Sequence, residues 1–199
     1  MVLNVNRWYN MNDILIVSAL PQEIPKHHWP LPFELIFTGV GKVNATYKLT
    51  SYLSRSLGWY SDKPKLIINF GTGASKHFKG KLVDCTKFIQ GDMNAEALGF
   101  NKGTTPYEDD VPRVIDFLDV ENPLKYNLTC YTGDKFRTPS QYEDVVDMEA
   151  YALAKVCWLK NIDFVSYKYI TDDGSADDWK ENCSKGVKKF QKVLESYVL

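Results

Sequence analysis

Asp13-Ile14-Leu15-Ile16-Val17-Ser18-Ala19-Leu20-Pro21-Gln22-Glu23 is the stretch on which the fold turns. Up to Leu20 it is a nearly continuous apolar run, rich in β-branched residues, and it breaks off in a proline followed by polar residues. A run of that kind suits a strand buried on both faces, the kind found in parallel sheets with helices on either side. Working outward, residues 33–37 read as a second strand, ended by Gly39 and Gly41. From Lys42 the apolar spacing turns helical, with Val43, Thr46/Tyr47, Thr50, Leu53 and Leu57 on one face. Lys65-Leu66-Ile67-Ile68-Asn69-Phe70 is a third buried strand, stopped by Gly71-Thr72-Gly73.

Further strands fit residues 82–89, 128–131 and 164–170. A helix is predicted over about 146–159, with Met148, Ala152, Val156 and Leu159 along one side. A closing helix over about 182–197 buries Val187, Phe190, Leu194 and Tyr197/Val198. Strands alternating with helices predict one α/β domain over 13–199, a central mostly parallel or mixed sheet flanked by helices, with 1–12 as an N-terminal extension. Residues 99–123 read as a long excursion and 134–144 as a polar loop.

Composition narrows the function. The 199 residues carry 24 Lys+Arg against 25 Asp+Glu, a net charge of −1, which argues against nucleic acid or an anionic membrane as partner. No apolar run approaches the roughly 18–20 residues of a membrane-spanning helix, and the stretch from Met1 to Arg7 lacks the layout of a signal peptide. Cys85, Cys130, Cys157 and Cys183 are scattered without a CxxC, and His27, His28 and His77 form no ligand cluster. The expectation is a cytoplasmic protein with reduced thiols, no metal and no cofactor.

In open α/β sheets ligands bind beyond the carboxyl ends of the strands. The segments in that place are rich in glycine and acids. Gly39-Val40-Gly41-Lys42 lacks the spacing of a phosphate loop and reads as a tight strand-to-helix turn, whose N–H groups are also placed to face a small polar ligand. Gly71-Thr72-Gly73-Ala74 either lets a ligand approach the backbone or simply forms a turn. In Asp147-Met148-Glu149-Ala150 the acids either complement a helix N-terminus or present Glu149 to a vicinal diol. Asp172 sits at a strand end, where burial and a neighbouring carboxylate favour its protonated form; Asp177 and Asp178 read as solvated. No G-x-S-x-G elbow and no H-E-x-x-H is present, so serine-hydrolase and zinc-protease chemistry drop out.

Taken in order, Ser18-Ala19-Leu20-Pro21-Gln22-Glu23, Thr38-Gly39-Val40-Gly41-Lys42-Val43-Asn44-Ala45, Ile68-Asn69-Phe70-Gly71-Thr72-Gly73, Thr132-Gly133-Asp134-Lys135-Phe136, Val146-Asp147-Met148-Glu149-Ala150 and Ile170-Thr171-Asp172 resemble the purine nucleoside phosphorylase/nucleosidase superfamily. The resemblance is strongest to its 5′-methylthioadenosine/S-adenosylhomocysteine nucleosidases. It implies hydrolysis of an N-glycosidic bond, with Asp172 as the acid that protonates the purine and Glu23 as the water-activating carboxylate. It further implies Glu149 on the ribose hydroxyls, Met148 against the sugar, Phe136 stacked on the base, and Thr72 at the ligand. Phosphorolytic members carry an Arg where this chain has Asn69, so hydrolysis is favoured; a phosphate-dependent phosphorylase or a non-catalytic nucleoside-binding protein of the same fold are the alternatives. A ribosyltransfer enzyme acting on a modified base or nucleotide is a further one. Lys168 stands in place of the family's Arg, keeping the charge without the planar fork. Arg137 replaces an apolar residue beside the base, where it is suited to a carbonyl or acidic substituent. Trp179 either covers the 5′ end of the substrate or belongs to the core. The resemblance also implies a homodimer and a small-molecule nucleoside as partner.

Overall fold

The computed structural model describes residues 9–25, 32–55 and 63–197; His27, His28, Leu57, Val198 and the start of the N-terminal extension lie outside them. The deciding stretch forms β1 (Ile14–Ser18). It pairs in parallel with β2 (Glu34–Phe37) on one side and with β3 (Leu66–Ala74) on the other. Between them runs α1 (Lys42–Arg55). The chain continues through β4 (Leu82–Gln90), β5 (Ile115–Asp116), β6 (Leu128–Thr132) and β7 (Val145–Asp147) to α2 (Ala150–Lys160). It ends in β8 (Asp163–Asp172), α3 (Ala176–Asn182) and α4 (Val187–Glu195).

The sheet is mixed, and its pairings return on themselves: β3 to β8, β8 to β4, β4 to β6, β6 to β7 and β7 back to β3. β1 and β2 extend it from β3, and β5 from β4.

The unbroken apolar run of β1 has the reason expected of it. Leu15 and Val17 face a core shared with Leu49 and Leu53 of α1 and Leu153 and Val156 of α2. Ile14 and Ile16 face the opposite core, shared with Phe190 and Leu194 of α4. Successive residues of a strand point to opposite faces, so a strand covered on both has no polar positions to spare. On the α4 side the Phe70 and Phe190 rings stack with centroids 4.4 Å apart.

The structure corrects several sequence expectations. β3 does not stop at Gly71 but runs on to Ala74, because β8 pairs with it along its whole length to Asp172. The helix expected from residue 146 begins at Ala150, since residues 145–147 are a strand paired with β3 and β6. α2 is then buried on nearly every side, with Leu159 exposed at its end, so no single stripe marks its inner face. The buried stripe of α1 is Ala45, Leu49 and Leu53, while Val43 and Tyr47 point outward, 79% and 73% exposed. The closing helix starts later than expected, at Val187, and a separate short helix, α3, precedes it and holds Asp177 and Asp178 in its opening turn. Within the long excursion, Phe117 packs on Phe88, Trp158 and Phe164.

Candidate active site

β1, β3 and β8 run parallel, so their carboxyl ends lie on one side of the sheet. There the segments after β1 and β8 meet the end of β3 and the β7–α2 junction around a cavity of about 340 Å³. Small-molecule sites commonly span roughly 300–1,000 Å³. Glu23, Thr72, Phe136, Arg137, Met148, Glu149 and Asp172 all line this hollow, so residues far apart in sequence converge on it. Lys168 does not reach the lining and sits in the wall behind.

Glu23 is buried, and four donors hold its carboxylate. Oε1 accepts from the Thr72 amide at 2.8 Å and the Thr72 hydroxyl at 2.9 Å. Oε2 accepts from the Ser18 hydroxyl at 2.9 Å and the Leu20 amide at 3.2 Å. The glycine beneath is needed for this approach. A Cβ on Gly71 would stand 3.2 Å from Glu23 Oε1 and 3.3 Å from Lys168 Nζ. Gly71 therefore serves close packing inside a strand, not a turn.

Asp172 ends β8. Its Oδ2 accepts from the Thr171 hydroxyl at 2.6 Å and its Oδ1 from the Gly174 amide at 2.7 Å. Burial pushes the Asp172 carboxyl above the ordinary value; Asp173 and Asp178 add to the shift, against the pull of those two donors. Among the described residues no cation is ion-paired with it. The result is an acid able to hold a proton.

Asp147, read from the sequence only as a helix-start acid, turns out to organise the other wall. Its carboxylate takes the Lys168 ammonium at 2.7 Å and the Thr132 hydroxyl at 2.5 Å. It also accepts the Ala150 amide at 2.8 Å, satisfying an amide at the start of α2. Burial alone would raise the Asp147 carboxyl, but the Lys168 charge together with the hydrogen bonds from Lys168, Thr132 and Ala150 outweighs it and holds it below the ordinary range. Lys168 is held above its ordinary value, because the surrounding carboxylates, Asp147 foremost, outweigh its burial. The signal for Asp147 was a lysine inside an otherwise buried strand, which cannot stay charged there without a carboxylate nearby.

Among the described residues no cation is ion-paired with Glu149, the next acid. One oxygen accepts the Gly41 amide at 2.9 Å. Burial, then the Asp147 and Glu23 charges, push its carboxyl up to about 8. The amides after Gly39 therefore face carboxylates of the protein: Gly41 donates to Glu149 and Lys42 to Asp134 at 2.8 Å. Val40 between them lines the cavity.

At the opening, Phe136 is 46% exposed and Met148 lies alongside. Both terminal nitrogens of Arg137 are engaged by Glu143, at 2.7 and 2.5 Å. Reading a substituent on a base with that fork requires it to leave Glu143. Trp179 of α3 lines the cavity and donates from Nε1 to the Thr72 hydroxyl at 2.9 Å. Asn69, inside β3 just before the glycines, is buried and spent internally, donating to the Val17 carbonyl at 3.0 Å and accepting from Ser166 at 2.7 Å. Among the described residues no group of His, Cys, Asp and Glu is arranged to hold a metal ion.

Residues 131–199 match the family model of the phosphorylase superfamily. The chain is 31% identical over 166 residues to a 5′-methylthioadenosine/S-adenosylhomocysteine nucleosidase of Exiguobacterium sp., covering 72% of this chain and 68% of that one. It is 25% identical over 191 residues to the nucleosidase of the same name from Staphylococcus haemolyticus, covering 83% and 81%. Among solved structures, it resembles the S-adenosylhomocysteine nucleosidase from Streptococcus pyogenes in complex with 5-methylthiotubericidin, with a TM-score of 0.73 at 19% identity over 92% of this chain and 94% of that chain. A nucleosidase from Colwellia psychrerythraea in complex with adenine shares the fold equally well, with a TM-score of 0.73 at 16% identity over 92% and 93%.

Proposed function

We propose, because this chain belongs to the 5′-methylthioadenosine/S-adenosylhomocysteine nucleosidases of the phosphorylase superfamily, that it hydrolyses the N-glycosidic bond of a purine-type nucleoside, releasing the free base and a ribose derivative. The carrying observation is that Glu23, Glu149 and Asp172 line one cavity, with Asp172 shifted toward its protonated form.

A purine anion is a poor leaving group. Asp172 gives its proton to N7, the C1′–N9 bond breaks, and the base departs neutral. Positive charge then grows on the sugar ring as in other glycosyl hydrolyses. A water oxygen bonds to C1′ while Glu23 accepts the water's proton. Glu149 hydrogen-bonds the two ribose hydroxyls, Met148 packs on the sugar, and Phe136 stacks on the base. The substrate class that fits is an adenine nucleoside with a 5′-thio substituent, the class named for the relatives. Hydrolysis over phosphorolysis is supported by Asn69, whose amide is consumed within the sheet where a phosphate-binding cation would be required.

The cytoplasm is the proposed site of the reaction, in keeping with the bacterial relatives. Among the described residues no helix is long and apolar enough to cross a membrane. A homodimer is the proposed assembly; the outward Val43 and Tyr47 of α1 are large apolar side chains suited to a second copy. The test is a panel of methylthioadenosine, S-adenosylhomocysteine, adenosine and inosine, each with and without phosphate, with the released base identified by chromatography. Adenine release without phosphate is expected. Dependence on phosphate would make the protein a phosphorylase, and binding without release would leave only a nucleoside-binding protein.

A further inference from the structure

Trp179 is joined to the water-activating carboxylate through a single side chain. Its Nε1 donates to Thr72 Oγ1 at 2.9 Å, and the same hydroxyl donates to Glu23 Oε1 at 2.9 Å. The polarity of this pair is fixed by chemistry. An indole N–H can only donate, and a hydroxyl has one proton and rotates to suit its partners. Thr72 Oγ1 must therefore accept from Trp179, which leaves its one proton for Glu23. Hydrogen bonds in series polarise one another, so the indole also strengthens the donation to the carboxylate.

The rest of α3 keeps the indole in place. Asn182 ties the end of the helix to the Thr171 carbonyl at 3.3 Å, and Ser175 caps its start by accepting from the Asp178 amide. Gly174, with φ of +115°, turns the chain from Asp172 into this helix. A Cβ there would fall 2.4 Å from Thr138 Oγ1, so the turn admits only glycine without displacing the loop that carries Phe136 and Arg137. The indole ring itself lines the cavity, so any ligand that presses on it also presses on the hydroxyl that holds Glu23.

We infer that Trp179 is a positioning residue for Glu23, acting through the direction of the Thr72 hydroxyl, in addition to being an apolar wall of the cavity. This rests on the hydrolytic reading above. Without the indole N–H the hydroxyl is free to turn to water or ligand, and Glu23 Oε1 is left with only the Thr72 amide of its two donors.

The experiment is a double-mutant cycle on nucleoside hydrolysis with W179F, T72V and W179F/T72V, with T72S as the conservative variant and thermal melts on each protein. W179F keeps the wall and removes the N–H, so kcat should fall about fivefold, the net worth of one hydrogen bond, with a smaller change in KM. T72V should fall further, T72S should recover most of what T72V loses, and the double variant should be no slower than T72V alone. Unchanged kcat in W179F, or losses that simply multiply in the double variant, would overturn the inference while leaving the hydrolase reading intact. A wild type that releases no base removes both. If W179F does not fold, T72V carries the test: its tryptophan emission should shift together with the loss in kcat, and a loss without a shift counts against the inference.

Discussion

Asp172 and Asp147 are the same residue type at the ends of two strands that flank Ala74, and both side chains are buried, yet they are driven in opposite directions. Asp172 has donors from a hydroxyl and an amide but, among the described residues, no ion-paired cation, and burial raises it. Asp147 has comparable donors and in addition the Lys168 ammonium, and it is lowered. Desolvation penalises a lone charge and is cancelled by an adjacent opposite one. One wall of the cavity thus keeps a proton available, and the other keeps fixed charge in place.

The comparison is tested most severely by D172N, which removes the proton and keeps the shape. Its kcat should fall about 10²–10⁴-fold, the usual worth of a positioned acid, while circular dichroism reports an unchanged fold. In the wild type the same acid predicts a kcat/KM that declines as pH rises through the raised Asp172 value; a rate that instead climbs there would assign the proton to another group.

K168M breaks the opposite wall. It leaves Asp147 buried without its counter-ion, which typically costs about 3–5 kcal/mol, and thermal melts should show a large drop in Tm. An unchanged Tm would mean that Asp147 does not depend on Lys168.

Glu149 is driven the same way as Asp172: burial and the Asp147 and Glu23 charges outweigh the nearby Lys168 charge and raise it to about 8. Between its ordinary 4.5 and about 8 the unfolded chain has released this proton and the folded one has not. Stability should therefore fall as pH rises through that window and level off above it. E149Q should flatten the slope, measured as the difference in Tm between the two ends of the window.

The smallest effect is expected at Glu143, a carboxylate with a cation but near the surface. Arg137 holds it down at about 2, so the pair contributes stability above 4.5 that is lost as pH falls through about 2. Solvent screening limits that contribution to about 1 kcal/mol or less. E143Q should remove the acid-side loss while also freeing the Arg137 fork; a changed preference among base substituents would show that the fork reaches the ligand.

The reach of sequence reading differed from element to element. Strands β1, β3, β4 and β8 were legible because a strand buried on both faces is dominated by apolar residues, even where single polar ones such as Asn69, Asp84 and Lys168 interrupt it. β7 was not: three residues have no period, and only pairing with β3 and β6 makes them a strand. The face of α1 was misplaced because Val43 and Tyr47 are as apolar as the residues that are buried, and periodicity cannot say which stripe meets the sheet. The acids that line the cavity were picked out by motif order, whereas the Lys168–Asp147 pair and the Trp179–Thr72 bond join positions 21 and 107 residues apart by side-chain contacts that no local pattern records.

The order and chemistry of the residues, read as a line, determined the α/β class, the family and the acids that belong together. Which of those acids is free to hold a proton was decided only in three dimensions. A carboxyl's charge state is set by the solvent it loses and the cation it gains, and both are properties of the packed neighbourhood rather than of the chain.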